Sequence, residues 1–313
     1  MTTDVLVTGG CGYIGSALVP RLVADDRVGE VVVLDNLASG SPRALLGAVD
    51  DSLTVRHGDV REYGDVESAT RGMDTVIHLA AITGAASTHD RCAETVAVNE
   101  DGTENVLTAA GKLGVETVVF ASSCNVYGRA TSTHVDETVT PDPINPYAET
   151  KRDAETLLAE YCEAFGMDGV ALRLATNFGY APGIRFNLVV NDFVFRALTG
   201  RPLTVYGDGD NWRPFIHVAD AARAYKHAAL HPGDWSEHVY NVGSTAENYR
   251  IAEIAEIVEE AVGAVEITYL EDEHPGPSYH VDFDRLDSTG FQPRWTLREG
   301  VRDLAGRFTD GPH

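Results

Sequence analysis

Lysine is nearly missing from this chain. Only Lys112, Lys151 and Lys226 occur among 313 residues, and arginine supplies the other basic charge. The 24 basic residues face 48 acidic ones, for a formal net charge of −24. No basic stripe is left to neutralise phosphates, which argues against a nucleic-acid partner. Excess carboxylates hold hydrated cations and keep a protein soluble where concentrated salt screens repulsion. The balance therefore resembles that of halophilic proteins; a merely acidic protein of ordinary salt is the alternative.

Cysteine is scarce as well. Cys11, Cys92, Cys124 and Cys162 form no CxxC pair and no disulfide framework. Nothing resembles a zinc site, so no metal is expected. No apolar run approaches the ~20 residues of a membrane-spanning helix. A first strand starting near residue 4 leaves no room for a signal peptide. The expectation is a soluble cytoplasmic protein with no membrane or nucleic-acid partner. The length suits one or two closely joined domains.

What is present begins at the N-terminus. Val5–Val7 is a short apolar run, long enough for a buried strand. Gly9, Gly12 and Gly15 follow at three-residue spacing, and a helical stretch starts at Ser16. Strand, glycine turn and helix together make a dinucleotide-binding start. Glycine suits the unusual backbone angles and leaves space for a pyrophosphate. The helix N-terminus offers that phosphate N–H groups and partial positive charge.

Further strands alternate with helical stretches. Val31–Leu34 ends at Asp35, twenty positions after Gly15. A carboxylate there accepts hydrogen bonds from the adenosine ribose and repels a 2′-phosphate, so NAD is expected rather than NADP. Leu53–Arg56 is followed by Gly58-Asp59-Val60, and Asp59 at that strand end can reach the adenine amino group. Thr75–Ala81 ends in small residues, as needed where backbone passes close to a ligand. Residues 92–111 read as a helix carrying Asn99, and Val115–Ser123 as a fifth strand. This alternation predicts an α/β fold, a doubly wound parallel sheet with ligands at the strand carboxyl ends.

Pro143-Ile-Asn-Pro146 then introduces a helix from Tyr147 onward. Tyr147 and Lys151, four apart, share one face of it. A lysine ammonium together with an oxidised nicotinamide would lower the phenol pKa from its usual ~10. The phenolate could take a proton from a sugar hydroxyl while hydride leaves the same carbon. Ser123 could hydrogen-bond the same oxygen and stabilise the developing carbonyl.

These motifs resemble the extended short-chain dehydrogenase/reductase family, in its NAD-dependent sugar epimerase/dehydratase branch. The likeness rests on Thr8-Gly-Gly-Cys-Gly-Tyr-Ile-Gly15, Asp35-Asn36-Leu37, Gly58-Asp59-Val60 and His78-Leu-Ala-Ala81. It continues through Ser122-Ser123-Cys-Asn-Val-Tyr127-Gly128, Asn145-Pro-Tyr147-x-x-x-Lys151, Val205–Gly209 and Arg213–Asp220. The resemblance implies a catalytic Ser123, Tyr147 and Lys151. It implies NAD contacts from Gly9, Gly12, Tyr13, Ile14, Gly15, Asp35, Asn36, Asp59, Val60, Leu79, Ala80 and Ala81. Asn99, Tyr147 and Lys151 complete that set. The implied substrate contacts are Thr83, Ser123, Thr176, Asn177, Asn187, Leu188, Arg213 and Tyr279. Asn187-Leu188 and Arg213 would hold a nucleotide-sugar diphosphate, and Tyr279 would limit substrate size.

The same resemblance implies a Rossmann-type cofactor domain over 1–178 plus 213–243. A smaller substrate-binding domain would take 179–212 plus 246–313. The helices near 92–111 and 147–166 would pack as a four-helix bundle in a homodimer. Ala154, Leu157, Leu158, Tyr161 and Phe165 make an apolar face at helical spacing, which could equally pack on its own sheet.

Cys124 and Asn125 follow Ser123 where a 4,6-dehydratase needs an acidic pair, which disfavours dehydration. Cys124 lies three residues before Tyr127, not two, and reads as a buried structural thiol. What remains is reversible oxidation at one sugar carbon, as in a nucleotide-sugar 4-epimerase. The alternatives are a dehydrogenase of a free sugar, uronate or hydroxy amino acid, and a non-catalytic NAD-binding protein. The chain departs from the family pattern at Thr176, usually Asn, and at Thr83, often basic. No Arg or Lys lies between Arg250 and Arg285, where a second diphosphate-binding arginine is expected. Either that contact is built differently or the substrate is not a standard UDP-sugar.

Overall fold

Strands buried on both faces need helices on both sides, and the chain supplies them in order. The structure is a computed structural model that describes residues 2–84, 88–129, 134–270 and 276–309. It opens with β1 (Thr3–Thr8), α1 (Tyr13–Val23), β2 (Val28–Asp35), β3 (Leu53–His57), α2 (Tyr63–Thr70) and β4 (Thr75–His78). The long helix expected next comes in parts: α3 (Cys92–Val96), a π-helical turn (Ala97–Asp101) and α4 (Gly102–Leu113). Then follow β5 (Thr117–Ser123), the short β6 (His134–Val135), α5 (Pro146–Phe165) and β7 (Asp168–Leu174).

The second part contains β8 (Thr176–Phe178), α6 (Val189–Leu198), β9 (Leu203–Tyr206) and β10 (Trp212–His217). After it come α7 (Val218–Leu230), β11 (Val239–Val242), β12 (Asn248–Arg250) and α8 (Ile251–Val262). The chain finishes with β13 (Ile267–Leu270), β14 (His280–Val281) and α9 (Leu297–Thr309).

Seven strands form one parallel sheet in the order β11-β7-β5-β4-β1-β2-β3. Strand order reverses between β1 and β4, which opens a crevice at their carboxyl ends. Alternate residues feed different cores. Val5, Val7, Val31 and Val33 pack on the side covered by α1 and α7, while Leu6, Val32 and Leu34 pack on the side covered by α2 and α4. A third core gathers Phe178, Phe193, Val205, Ile254 and Leu304 from the smaller lobe. No helix among the described residues is long and apolar enough to cross a membrane.

The expected domain boundaries shift at two strands. β10 pairs in parallel with β8 and antiparallel with β12, away from the large sheet. Arg213–His217 therefore belongs with the smaller lobe, as does Thr176–Phe178. The return to the large sheet starts with α7 at Val218 and ends with β11 beside β7.

The apolar face expected of α5 is divided. Ala154 and Leu158 are buried against the sheet, with Leu157 and Tyr161 packed at the margin. Phe165 stacks on Tyr161 and remains 46% exposed.

Beneath the sheet end lies a buried ion pair. Arg173 on β7 donates to Glu155 on α5 from Nε at 2.9 Å and from Nη2 at 2.6 Å. Ser122 donates to the same carboxylate. Arg173 Nη1 reaches the Tyr127 hydroxyl at 3.1 Å, and that hydroxyl donates to Asn241 at 2.8 Å. One network thus ties α5 to β5, β7 and β11.

Candidate active site

The crevice is a cleft of about 990 Å³. Its floor is the glycine turn. Gly9 has φ +69°, and a Cβ there would lie 2.7 Å from the Ala80 nitrogen. A Cβ on Gly15 would overlap the Gly10 backbone. No side chain caps the start of α1, and its first turn carries no acid. This is a cradle for a pyrophosphate, with no acid in the first turn of the helix to oppose it. At the end of β2, Asp35 accepts from Cys11 N at 2.9 Å and Leu37 N at 2.8 Å, and its carboxylate borders the cleft. These features fit NAD. Asp35→Asn keeps an acceptor for the turn but removes the charge. It is expected to weaken NAD binding about tenfold and to relax discrimination against NADP, read by calorimetry with each cofactor.

The small residues after β4 are held from below. Thr8 Oγ1 lies 2.6 Å from His78 Nδ1, and His78 Nε2 lies 3.0 Å from Thr103 Oγ1. Ala80 N donates to Thr8 Oγ1 at 3.2 Å. Burial lowers the His78 pKa to about 3, so its ring is a neutral strut. Asn99, on the π-helical turn, brackets Ile82: its Oδ1 accepts from Ile82 N at 2.8 Å and its Nδ2 donates to Ile82 O at 3.0 Å. Nδ2 also reaches Thr150 Oγ1 at 3.0 Å. Asn99, expected to contact NAD, is buried and is not among the residues lining the cleft.

The reactive wall is built by β5 and α5. Asn145 caps α5 by accepting from Ala148 N at 2.9 Å, with Pro146 at the first position. Tyr147 and Lys151 therefore occupy successive turns and both line the cleft with Ser123. Ser123 hydrogen-bonds the Tyr147 phenol. Lys151 is 3% exposed, its Nζ 4.7 Å from the Phe120 ring centroid and 5.9 Å from that of Tyr147.

Burial raises the Tyr147 pKa, while the Ser123 hydrogen bond and the Arg185 guanidinium pull it down. Arg185 is thus one cation acting on the phenol from across the cleft. Burial also lowers Lys151 to about 7, with Glu155 pulling it back up. An unfolded lysine titrates near 10.4. The folded state thus holds fewer protons than the unfolded one between those values, and stability rises with pH across that window. Lys151→Met should therefore gain most over the parent below pH 7. Its advantage should shrink as pH climbs from about 7 to 10, as followed by urea melts.

Gly9, Gly12, Tyr13, Ile14, Gly15, Asp35, Asn36, Val60, Leu79, Ala80 and Ala81 all border the cleft, as do Thr83, Thr176, Asn177, Asn187 and Leu188. Asn177 Oδ1 is buried with no hydrogen-bond partner, an acceptor that suits a ligand hydroxyl or N–H. Leu188 precedes α6, which no side chain caps. Three further residues expected at the site are set back. The Asp59 carboxylate accepts from Arg61 and from Asn36, which holds it well below the usual range, and it is not among the residues lining the cleft. Tyr279 is 2% exposed, and its hydroxyl donates to Asn125 Oδ1 at 3.1 Å. Arg213 stacks 5.0 Å over the Tyr279 ring and donates to Trp212 O at 2.9 Å. Part of the arginine-free stretch, residues 271–275, lies outside the described residues.

Two residues escaped the sequence reading. Arg185 lines the cleft and touches Thr83 and Asn187. Asn191 joins the lobes: it donates to Tyr13 Oη at 3.3 Å and accepts from Gly179 N at 2.9 Å, while Tyr13 donates to Gly179 O at 2.6 Å. Only the abundance of charge elsewhere hints that an arginine without an acid nearby is unusual here.

Comparison with known proteins agrees with this geometry. Residues 5–243 match the NAD dependent epimerase/dehydratase family. The low-salt glycan biosynthesis protein Agl12 of Haloferax volcanii is 33% identical, over 95% of this chain and 96% of that protein. The dTDP-glucose 4,6-dehydratase of an Actinoplanes species is 32% identical, over 97% of each chain. The UDP-N-acetylglucosamine 4-epimerase of Methanobrevibacter ruminantium, solved with UDP-N-acetylmuramic acid, superposes with a TM-score of 0.89 at 29% identity, over 99% of each chain. The Thermus thermophilus UDP-glucose 4-epimerase, solved with NAD, gives a TM-score of 0.82 at 31% identity, over 98% of this chain and 99% of that one. With its glycine cradle, its Asp35 and its Ser123-Tyr147-Lys151 wall, this chain belongs to the NAD-dependent epimerase/dehydratase family and takes NAD as its cofactor.

Proposed function

We propose that this enzyme epimerises a nucleotide sugar at C4 through a transient 4-keto sugar. One observation carries the choice among the family's reactions. Asp35 and Glu94 are the acids among the described residues lining the cleft. Asp35 serves the adenosine end, and Glu94 is paired with Arg91. Among the described residues no further carboxylate lines the cleft at Ser123 and Tyr147 to remove water from a neighbouring carbon. Cys124 cannot replace one: it is buried, donates to Arg173 O at 3.2 Å, and burial drives its thiol far up.

Tyr147 would take the proton from the C4 hydroxyl and return it after the sugar turns over. Ser123 would donate to the same oxygen while it is a carbonyl. When bound, NAD supplies the hydride acceptor and donor that side chains lack. Asn177 Oδ1 would hold a sugar hydroxyl, Thr83 and Thr176 would border the ring, and Asn187 with the Leu188 N–H would meet the diphosphate. Arg213 would join them only by leaving the face of Tyr279. Between transfers the keto sugar must present its opposite face to the same wall.

The test is to release and identify the copurifying cofactor, then incubate nucleotide sugars in high salt and separate the products. Epimerised sugar with no net change at 340 nm supports the proposal. A steady rise at 340 nm would instead establish a dehydrogenase of a sugar, uronate or hydroxy amino acid. Activity retained in molar salt would support the halophilic character suggested by the −24 charge. The half-exposed Phe165 at the end of α5 supports a homodimer through α4 and α5, and sedimentation would read it.

A further inference from the structure

Nothing in the linear pattern singles out Arg185, yet its setting differs from that of the chain's salt-bridged arginines. Its side chain lines the cleft, with Nε donating to Asn187 Oδ1 at 3.2 Å and Nη1 to the Thr83 hydroxyl. It lies within electrostatic reach of Tyr147 and Tyr13, and burial lowers its pKa. No carboxylate pairs with it among the described residues, although acids outnumber bases two to one. A largely buried guanidinium held by neutral partners alone is costly. Its planar fork matches carboxylate and phosphate oxygens, and binding either would satisfy it.

We propose that Arg185 is a specificity-determining residue that receives an oxyanion from the sugar half of the substrate: a carboxylate on the sugar or the phosphate attached to it. This rests on the nucleotide-sugar reading above. It lines the same cleft as Tyr147 and acts on that phenol electrostatically, so an oxyanion held there would share the cleft with the reacting sugar. Arg213, stacked on Tyr279, is set back from that position. The anion would also neutralise the cation that pulls the Tyr147 phenol down, so charge at this one position couples binding to proton transfer.

The experiment is calorimetry on the NAD-loaded protein, its Arg185→Gln variant and its Arg185→Lys variant. The probes are pyrophosphate, free glucuronate, UDP-glucose and UDP-glucuronate. Arg185→Gln should weaken binding of an oxyanion probe at least tenfold, and Arg185→Lys should recover part of the loss. A loss confined to the glucuronate compounds assigns the carboxylate; one shared by pyrophosphate and both nucleotide sugars assigns the phosphate. Equal affinity of parent and Arg185→Gln for every probe, with melting curves unchanged, overturns the assignment. So does a parent that binds none of them. A parent that binds the simple anions but neither nucleotide sugar overturns the substrate reading alone, and the anion measurements still decide Arg185.

Discussion

Replacing Tyr147 with phenylalanine should lower turnover by about three orders of magnitude, within the 10²–10⁴ range of a positioned acid–base group. The substitution removes one oxygen from a buried ring, so the fold and the glycine cradle should survive. NAD binding by calorimetry should remain within a few-fold of the parent. Ser123 hydrogen-bonds that oxygen and Arg185 acts on it electrostatically, and neither can replace it: a serine hydroxyl is far less acidic than a phenol, and a guanidinium does not release its proton. Unchanged turnover in Tyr147→Phe would end every catalytic account of this cleft and leave a protein that only binds NAD.

The second large effect concerns stability. Arg173→Met should cost about 3–5 kcal/mol, because it leaves the Glu155 carboxylate buried without its cation. Glu155 would keep the Ser122 hydroxyl but lose both guanidinium bonds, and Tyr127 would lose a donor. The double variant Glu155→Leu with Arg173→Met should recover much of the loss, since two apolar side chains leave no orphaned charge. Urea midpoints at fixed high salt measure both. The pair is 6–7% exposed at the side chains, so salt should hardly alter the result. Matching midpoints for parent and Arg173→Met would mean the pair holds nothing together.

Much of the site was legible because its signals are local. A glycine triplet after a strand, an acid at the end of the next strand and a Tyr-Lys pair one turn apart each act over a few residues. Ser123, Tyr147 and Lys151 meet at one wall for that reason. What remained hidden depends on tertiary placement. Arg185 is an ordinary loop residue in the linear chain, and only folding brings it to Thr83 and Tyr147. The π-helical turn carrying Asn99 leaves no periodic trace in the residues. β10 looked like part of the return to the large sheet, because six apolar and charged residues do not say which neighbour they pair with. The burial that raises the Tyr147 pKa and lowers that of Lys151 was hidden for a related reason: an i,i+4 pair shows proximity, not desolvation.

The chain passes between its two lobes three times, after β7, between β10 and α7, and after β11. One genetic crossover with a relative can therefore never transplant the smaller lobe by itself. A single junction after residue 174 would carry α7 and β11 along, and both must fit helix and strand partners left behind in the recipient. Chimeras that exchange sugar preference will need at least three matched junctions, and lineages that diverged in substrate are expected to have done so by point replacement inside the cleft.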